Sequence, residues 1–167
     1  MLAWGLRVAG AAAGLYGIAL AAGSALGGTD PLAPIPAFAK PVPSLSFRAI
    51  HSVADLDREV SQARAQGRSV LVDFSADWCT SCKEMERYTF TDPTVQAALR
   101  ETVLLRANVT QNDADDQALL RHFGIFGPPT IAFYGADGRE RAAYRVVGYM
   151  NAEAFAARTR AALHSAS

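Results

Sequence analysis

Cysteine is scarce in this chain, and what there is sits in one place. Its 167 residues hold two cysteines, Cys79 and Cys82, both inside ADWCTSCKEME. Histidine is scarce too: His51, His122 and His164 lie far apart. That supply is too small for most protein-built zinc sites, so no metal is expected. An excess of either charge is missing, since Lys+Arg and Asp+Glu both number 16. Nothing basic therefore points to nucleic acid, and no acidic tail points to a solvating role. No glycine-rich phosphate loop follows a strand, which excludes a nicotinamide, flavin or ATP site from expectation. Internal repeats are absent as well.

What is present is unevenly distributed. From Val8 to Gly28 no charged residue occurs, and Arg7 stands just ahead of the run. About 20 apolar residues cross a hydrocarbon core, so 1–28 is expected to be a transmembrane helix or signal anchor. A removed signal peptide is the competing reading, with small residues near Ala21 to Ser24 for the peptidase. Either reading leaves Arg7 inside and everything after Gly28 outside. Residues 29–45 follow as a proline-rich linker; five prolines between Thr29 and Ser44 favour extended, semi-rigid chain.

Residues 46–167 read as one globular domain. SFRAI is a short strand candidate, and SVADLDREVSQARAQG a helix with Ser52 as cap and Asp55 three residues on. SVLVDFS is a near-continuous apolar run suited to a strand buried on both faces. A helix opens at the cysteines and runs to about Thr89, and DPTVQAALR starts another with Pro93 in its first position. TVLLRANV is a second buried strand, and NDADDQALLRHFG a helix stopped by Gly124. TIAFY and AAYRVVG read as an antiparallel hairpin, and Asn151 caps a last helix. The order β-α-β-α-α-β-α-β-β-α predicts a mostly parallel α/β sheet covered on both faces, with a hairpin at one edge.

A disulfide between Cys79 and Cys82 would close a loop of four residues and add roughly 2 kcal/mol, a weak staple. The same pair at a strand-to-helix turn suits a dithiol that opens and closes. Cys79, at the helix tip, would meet unsatisfied amides and the positive end of the dipole, which favour a thiolate. Cys82, one turn in, is expected to be more buried and to resolve mixed disulfides. Asp73 lies inside an apolar strand, where an unpaired carboxylate is costly; it serves either the thiols or a backbone bond at the strand end. Glu86, four residues past Cys82, shares its helix face, and is otherwise an ordinary solvated glutamate. Trp78 is either core or a docking surface beside the nucleophile.

VLVDFSADWCTSCKEMERYTFTDPTVQAAL, LLRANVTQNDADDQALLRHFGIFGPPTIAFY and VVGYMNAEAF closely resemble the C-terminal, periplasmic, thioredoxin-like domain of the DsbD thiol:disulfide interchange family. GLYGIALAAGSALGGTDPLAPI is similar to that family's last transmembrane helix and the linker after it. The resemblance implies a thioredoxin-like fold, a bacterial inner-membrane location with the domain in the periplasm, and protein-disulfide reductase or electron-relay activity. It implies Cys79, Cys82, Asp73 and Glu86 as catalytic residues, with Asp73 exchanging a proton with Cys82 and both carboxylates raising the thiol pKa values. It also implies a cis Pro129, with Pro128 exposing backbone to a partner; a plain trans loop is the alternative. The family's further membrane and periplasmic domains are not in this sequence, which is either a fragment or a short stand-alone relative. The expected partners are therefore a separate membrane-embedded dithiol donor and periplasmic thioredoxin-like acceptors. An oxidase or isomerase on the same fold, or a non-catalytic docking module, are the alternatives.

Overall fold

The computed structural model describes residues 2–25 and 45–164, so the linker expected at 29–45 lies outside the described residues except for Leu45. The chain divides into two units, Met1–Pro43 and Ser44–Ser167.

The first unit carries α1 (Leu2–Ala25), so the helix expected within 1–28 is present. Its membrane-crossing character is weaker than expected: among the described residues, no helix is long and apolar enough to cross a membrane. The physical reason is composition, because Ala and Gly fill many positions that Leu, Ile or Val would hold in a strongly apolar span.

The second unit follows the expected order. It comprises β1 (Arg48–Ile50), α2 (Val53–Ala65), β2 (Val70–Ser75), α3 (Thr80–Glu84), α4 (Pro93–Ala98), β3 (Val103–Asn108), α5 (Ala114–Phe123), β4 (Thr130–Tyr134), β5 (Val146–Val147) and α6 (Ala152–His164). Local chemistry sets the boundaries. Ser52 Oγ accepts from the Asp55 amide, while the Asp55 carboxylate returns to the His51 amide, one residue ahead of the cap. Asp113 and Asp116 satisfy each other's amides at the start of α5, and Gly124 ends it in the left-handed region at φ 61°.

The sheet order is β1-β3-β2-β4-β5. β1, β3 and β2 run parallel, β4 is antiparallel to β2, and β5 antiparallel to β4. All six residues of β2 are buried, as its apolar sequence predicts for a central strand. Its side chains alternate between two layers. Val70, Val72 and Phe74 join Leu56, Leu119 and Phe123 against α2 and α5. Leu71 joins Met85, Phe90, Val95 and Phe155 on the other face. Asp73, two residues from Leu71, shares that second face of the strand by alternation, whereas Cys79 and Cys82 themselves pack with the first layer.

Two elements differ from expectation. The cysteine helix does not run unbroken to Thr89: α3 ends at Glu84, and Met85–Thr89 form a wider π-turn closed by the Phe90 amide on the Met85 carbonyl at 2.8 Å. The turn keeps Met85 and Thr89 buried, and the Thr89 hydroxyl donates to the Met150 carbonyl at 2.7 Å. AAYRVVG is not one strand either. Ala142–Tyr144 form a 3-10 turn, leaving two residues for β5. Arg145 bonds both Glu140 oxygens and reaches the Phe123 carbonyl at 2.6 Å, which draws this stretch toward the end of α5.

Candidate active site

The site is built where β2 ends. Cys79 is the N-cap of α3 and forms a disulfide with Cys82, with Cα atoms 5.3 Å apart. The Cys82 amide donates to Cys79 Sγ at 3.1 Å, so the first sulfur occupies the place where a capping oxygen usually sits. A negative charge on that sulfur would meet an N–H already aimed at it. The expected difference in exposure is absent: Cys79 is 5% exposed and Cys82 6%. In the bonded pair each sulfur covers part of the other, so helix position alone does not separate them.

The pairing of Phe74 with Thr130 brings the start of β4 to the same end of the sheet. Just before it, the Pro128–Pro129 peptide is cis. The Pro129 carbonyl accepts from the Gly148 amide at 2.9 Å, which ties this loop to β5. Large apolar side chains stand exposed at this end. Trp78, beside Cys79, is 62% exposed, so it is not core. Phe126, two residues before Pro128, is fully exposed, and Val147, paired with Thr130, is exposed as well. Phe126 was missed from the sequence; the cue available was a lone aromatic in the glycine-proline loop FGPPT.

Asp73 is buried, and its partner is a second residue missed from the sequence. Arg106 stands beside it on β3, with Nε and Nη2 both 2.8 Å from Asp73 Oδ2. The Nη1 of Arg106 donates to Glu86 Oε1 at 2.5 Å, so one guanidinium joins the two expected carboxylates. The guanidinium carbon also lies 4.2 Å from the Phe47 ring centre. Burial pushes the Asp73 carboxyl up to about 6; Arg106 opposes that rise, and Glu86 adds to it. The signal in the sequence was a single cation in the apolar strand VLLRANV, matching a single anion in VLVDFS. Among the described residues no cluster of His, Cys, Asp and Glu could hold a metal ion.

A disulfide at the tip of a helix, at the same end of a mixed five-stranded sheet as a cis-proline loop, defines a thiol–disulfide oxidoreductase of the thioredoxin type. Known proteins agree. A family model described as Thioredoxin-like matches residues 49–136. The thiol:disulfide interchange protein DsbD of Ralstonia nicotianae is 47% identical over 167 residues, covering 96% of this chain but 27% of that protein. The chain thus spans only about a quarter of that relative's length. The DsbD C-terminal domain of Neisseria meningitidis in its oxidised form is 32% identical, with a TM-score of 0.57 over 66% of this chain and 95% of that one. Its reduced form gives 31%, 0.59, 69% and 99%. The chain belongs to the thioredoxin-like family and, within it, to the DsbD C-terminal domains.

Proposed function

We propose that this chain is a protein-disulfide reductase or electron relay that takes electrons from a membrane-embedded dithiol and passes them to periplasmic thioredoxin-like proteins. The observation that carries the reading is Cys79 as helix cap, its sulfur held by the Cys82 amide in a disulfide of minimal loop length. In the forward step the Cys79 thiolate attacks a partner disulfide and releases one partner thiolate. Cys82 then gives its proton to the Asp73 carboxylate and attacks Cys79 Sγ. The second partner sulfur leaves and takes up a proton; the partner gains two electrons and the Cys79–Cys82 pair loses them. Glu86 acts through the shared Arg106, and Trp78, Pro128 and Pro129 meet the partner chain. The redox-active group is the disulfide itself.

The placement belongs to the same reading: residues 1–28 at the bacterial inner membrane, 29–45 as spacer, and 46–167 in the periplasm. The uncharged run after Arg7 supports it. Cys82→Ser keeps the attacking sulfur and removes the resolving one, so it should accumulate a mixed disulfide through Cys79 with an oxidised thioredoxin-like acceptor. A reduction potential near −120 mV, that of a strong oxidant, would reverse the direction of transfer and sink the reading.

A further inference from the structure

Arg106 is the one charged residue of β3 and takes no part in the chemistry expected from the sequence. Yet its guanidinium is held on three sides. Two nitrogens bind Asp73 Oδ2, a third binds Glu86 Oε1, and the flat face lies over Phe47. Phe47 is fixed in turn by Phe90, with ring centres 5.6 Å apart, and Phe90 by Phe155 at 5.7 Å. A flexible side chain with many rotamers is thus fastened to one geometry, beside a cavity of about 220 Å³ lined by Leu45, Phe47, Glu86, Phe90, Thr91 and Arg106. A surface ion pair has no such scaffold.

We propose that Arg106 is a positioning residue for disulfide exchange: it holds the Asp73 carboxylate ionised and aimed, so that Asp73 can take the proton Cys82 must lose. The inference rests on the exchange reading above. The charges acting on Asp73 are Arg106 from β3 and Glu86 from the π-turn; the first favours the carboxylate and the second opposes it. Without the cation, burial and Glu86 act unopposed, and Asp73 is protonated in half or more of the molecules at neutral pH. The protonated form can accept nothing from Cys82, and the mixed disulfide at Cys79 lives longer. The electron balance is unchanged: two electrons still pass from the dithiol to the partner disulfide, with the proton transfer alone delayed.

The test uses the full chain with Arg106→Gln, and with Arg106→Met as a second neutral variant that keeps an apolar stem over Phe47. Carbon-13 NMR of the Asp73 carboxyl should place its midpoint at least about one pH unit higher than in the wild type, since an opposite charge in contact shifts a carboxyl by roughly 1–3 units. The reduced variants, mixed with oxidised glutathione at pH 7, should resolve the Cys79–glutathione adduct about two- to tenfold more slowly by mass spectrometry, since a midpoint one to two units above 6 leaves about a half to a tenth of Asp73 ionised at that pH. Arg106→Lys should restore part of both effects. An unmoved Asp73 midpoint in a folded neutral variant overturns the proposal. So does a moved midpoint with unchanged adduct resolution, which would leave Arg106 a structural ion pair. A wild-type chain that never exchanges with glutathione defeats the reductase reading instead, and the Asp73 titration still decides the role of Arg106.

Discussion

The Cys82 amide points at Cys79 Sγ from 3.1 Å, while Cys82 Sγ has no such donor among the bonds of the described residues. The two cysteine residues are almost equally buried, so this amide, with the helix end behind it, is what distinguishes them. In the reduced protein, iodoacetamide at neutral pH should label Cys79 about tenfold or more faster than Cys82. Peptide mapping by mass spectrometry reads the ratio, and equal labelling would remove the basis for naming an attacking sulfur.

Stability should fall as pH rises through the range set by Asp73. Its folded pKa is about 6, against an ordinary value of 3.8, so the folded chain keeps a proton that the unfolded chain gives up between those values. The contribution is full below about 3.8 and lost above about 6, on the order of 2–3 kcal/mol in all. Urea unfolding of wild type and Asp73→Asn between pH 4 and 8 isolates it. The variant should gain on the wild type across that window and run parallel to it above, and a constant difference would refute the raised pKa.

Trp78, next to Cys79 in the chain, and Phe126, in the loop before the cis proline, present aromatic surface to solvent without packing into the core. Aromatic anchors at protein interfaces commonly contribute more than 1 kcal/mol each. The double variant Trp78→Ala, Phe126→Ala should therefore reduce a protein disulfide at least about fivefold more slowly. Glutathione disulfide, too small to reach both rings, should react within about twofold of wild type. Equal losses on both substrates would place the rings in the chemistry rather than in docking.

Thr159, in the middle of α6, is fully buried, and its hydroxyl has no hydrogen-bond partner among the described residues. A desolvated, unpaired hydroxyl costs about 1–3 kcal/mol, and valine has nearly the same shape. Thr159→Val should raise unfolding stability by roughly 1 kcal/mol without changing the exchange rate, measured by chemical denaturation. A loss of stability would reveal a partner for that oxygen.

Much of this was readable from residues close together in the chain. Ser52, Asp92 and Asp113 cap helices through their nearest amides, so their positions carry the helix starts. The cysteine pair is equally local, three positions apart at a strand-to-helix turn. Arg106 was not readable, because its meeting with Asp73 spans 33 residues and depends on the register of two parallel strands joined by a long crossover. No tight turn fixes such a register. The 3-10 turn at Ala142–Tyr144 escaped for a similar reason: Arg145 is drawn away by the distant Phe123 carbonyl, which no local propensity encodes.

β2 and β3 each contain one charged residue, and the two are neighbours across the ladder. Were β3 to slide by a single position, Arg106 would face Val72 or Phe74, and its cation would be turned into the hydrocarbon layer beneath α2 and α5. Misaligned assembly of these otherwise interchangeable apolar strands is thus penalised by two stranded ions at once. A pair read here for its proton chemistry also acts as a key that lets the sheet close in only one alignment.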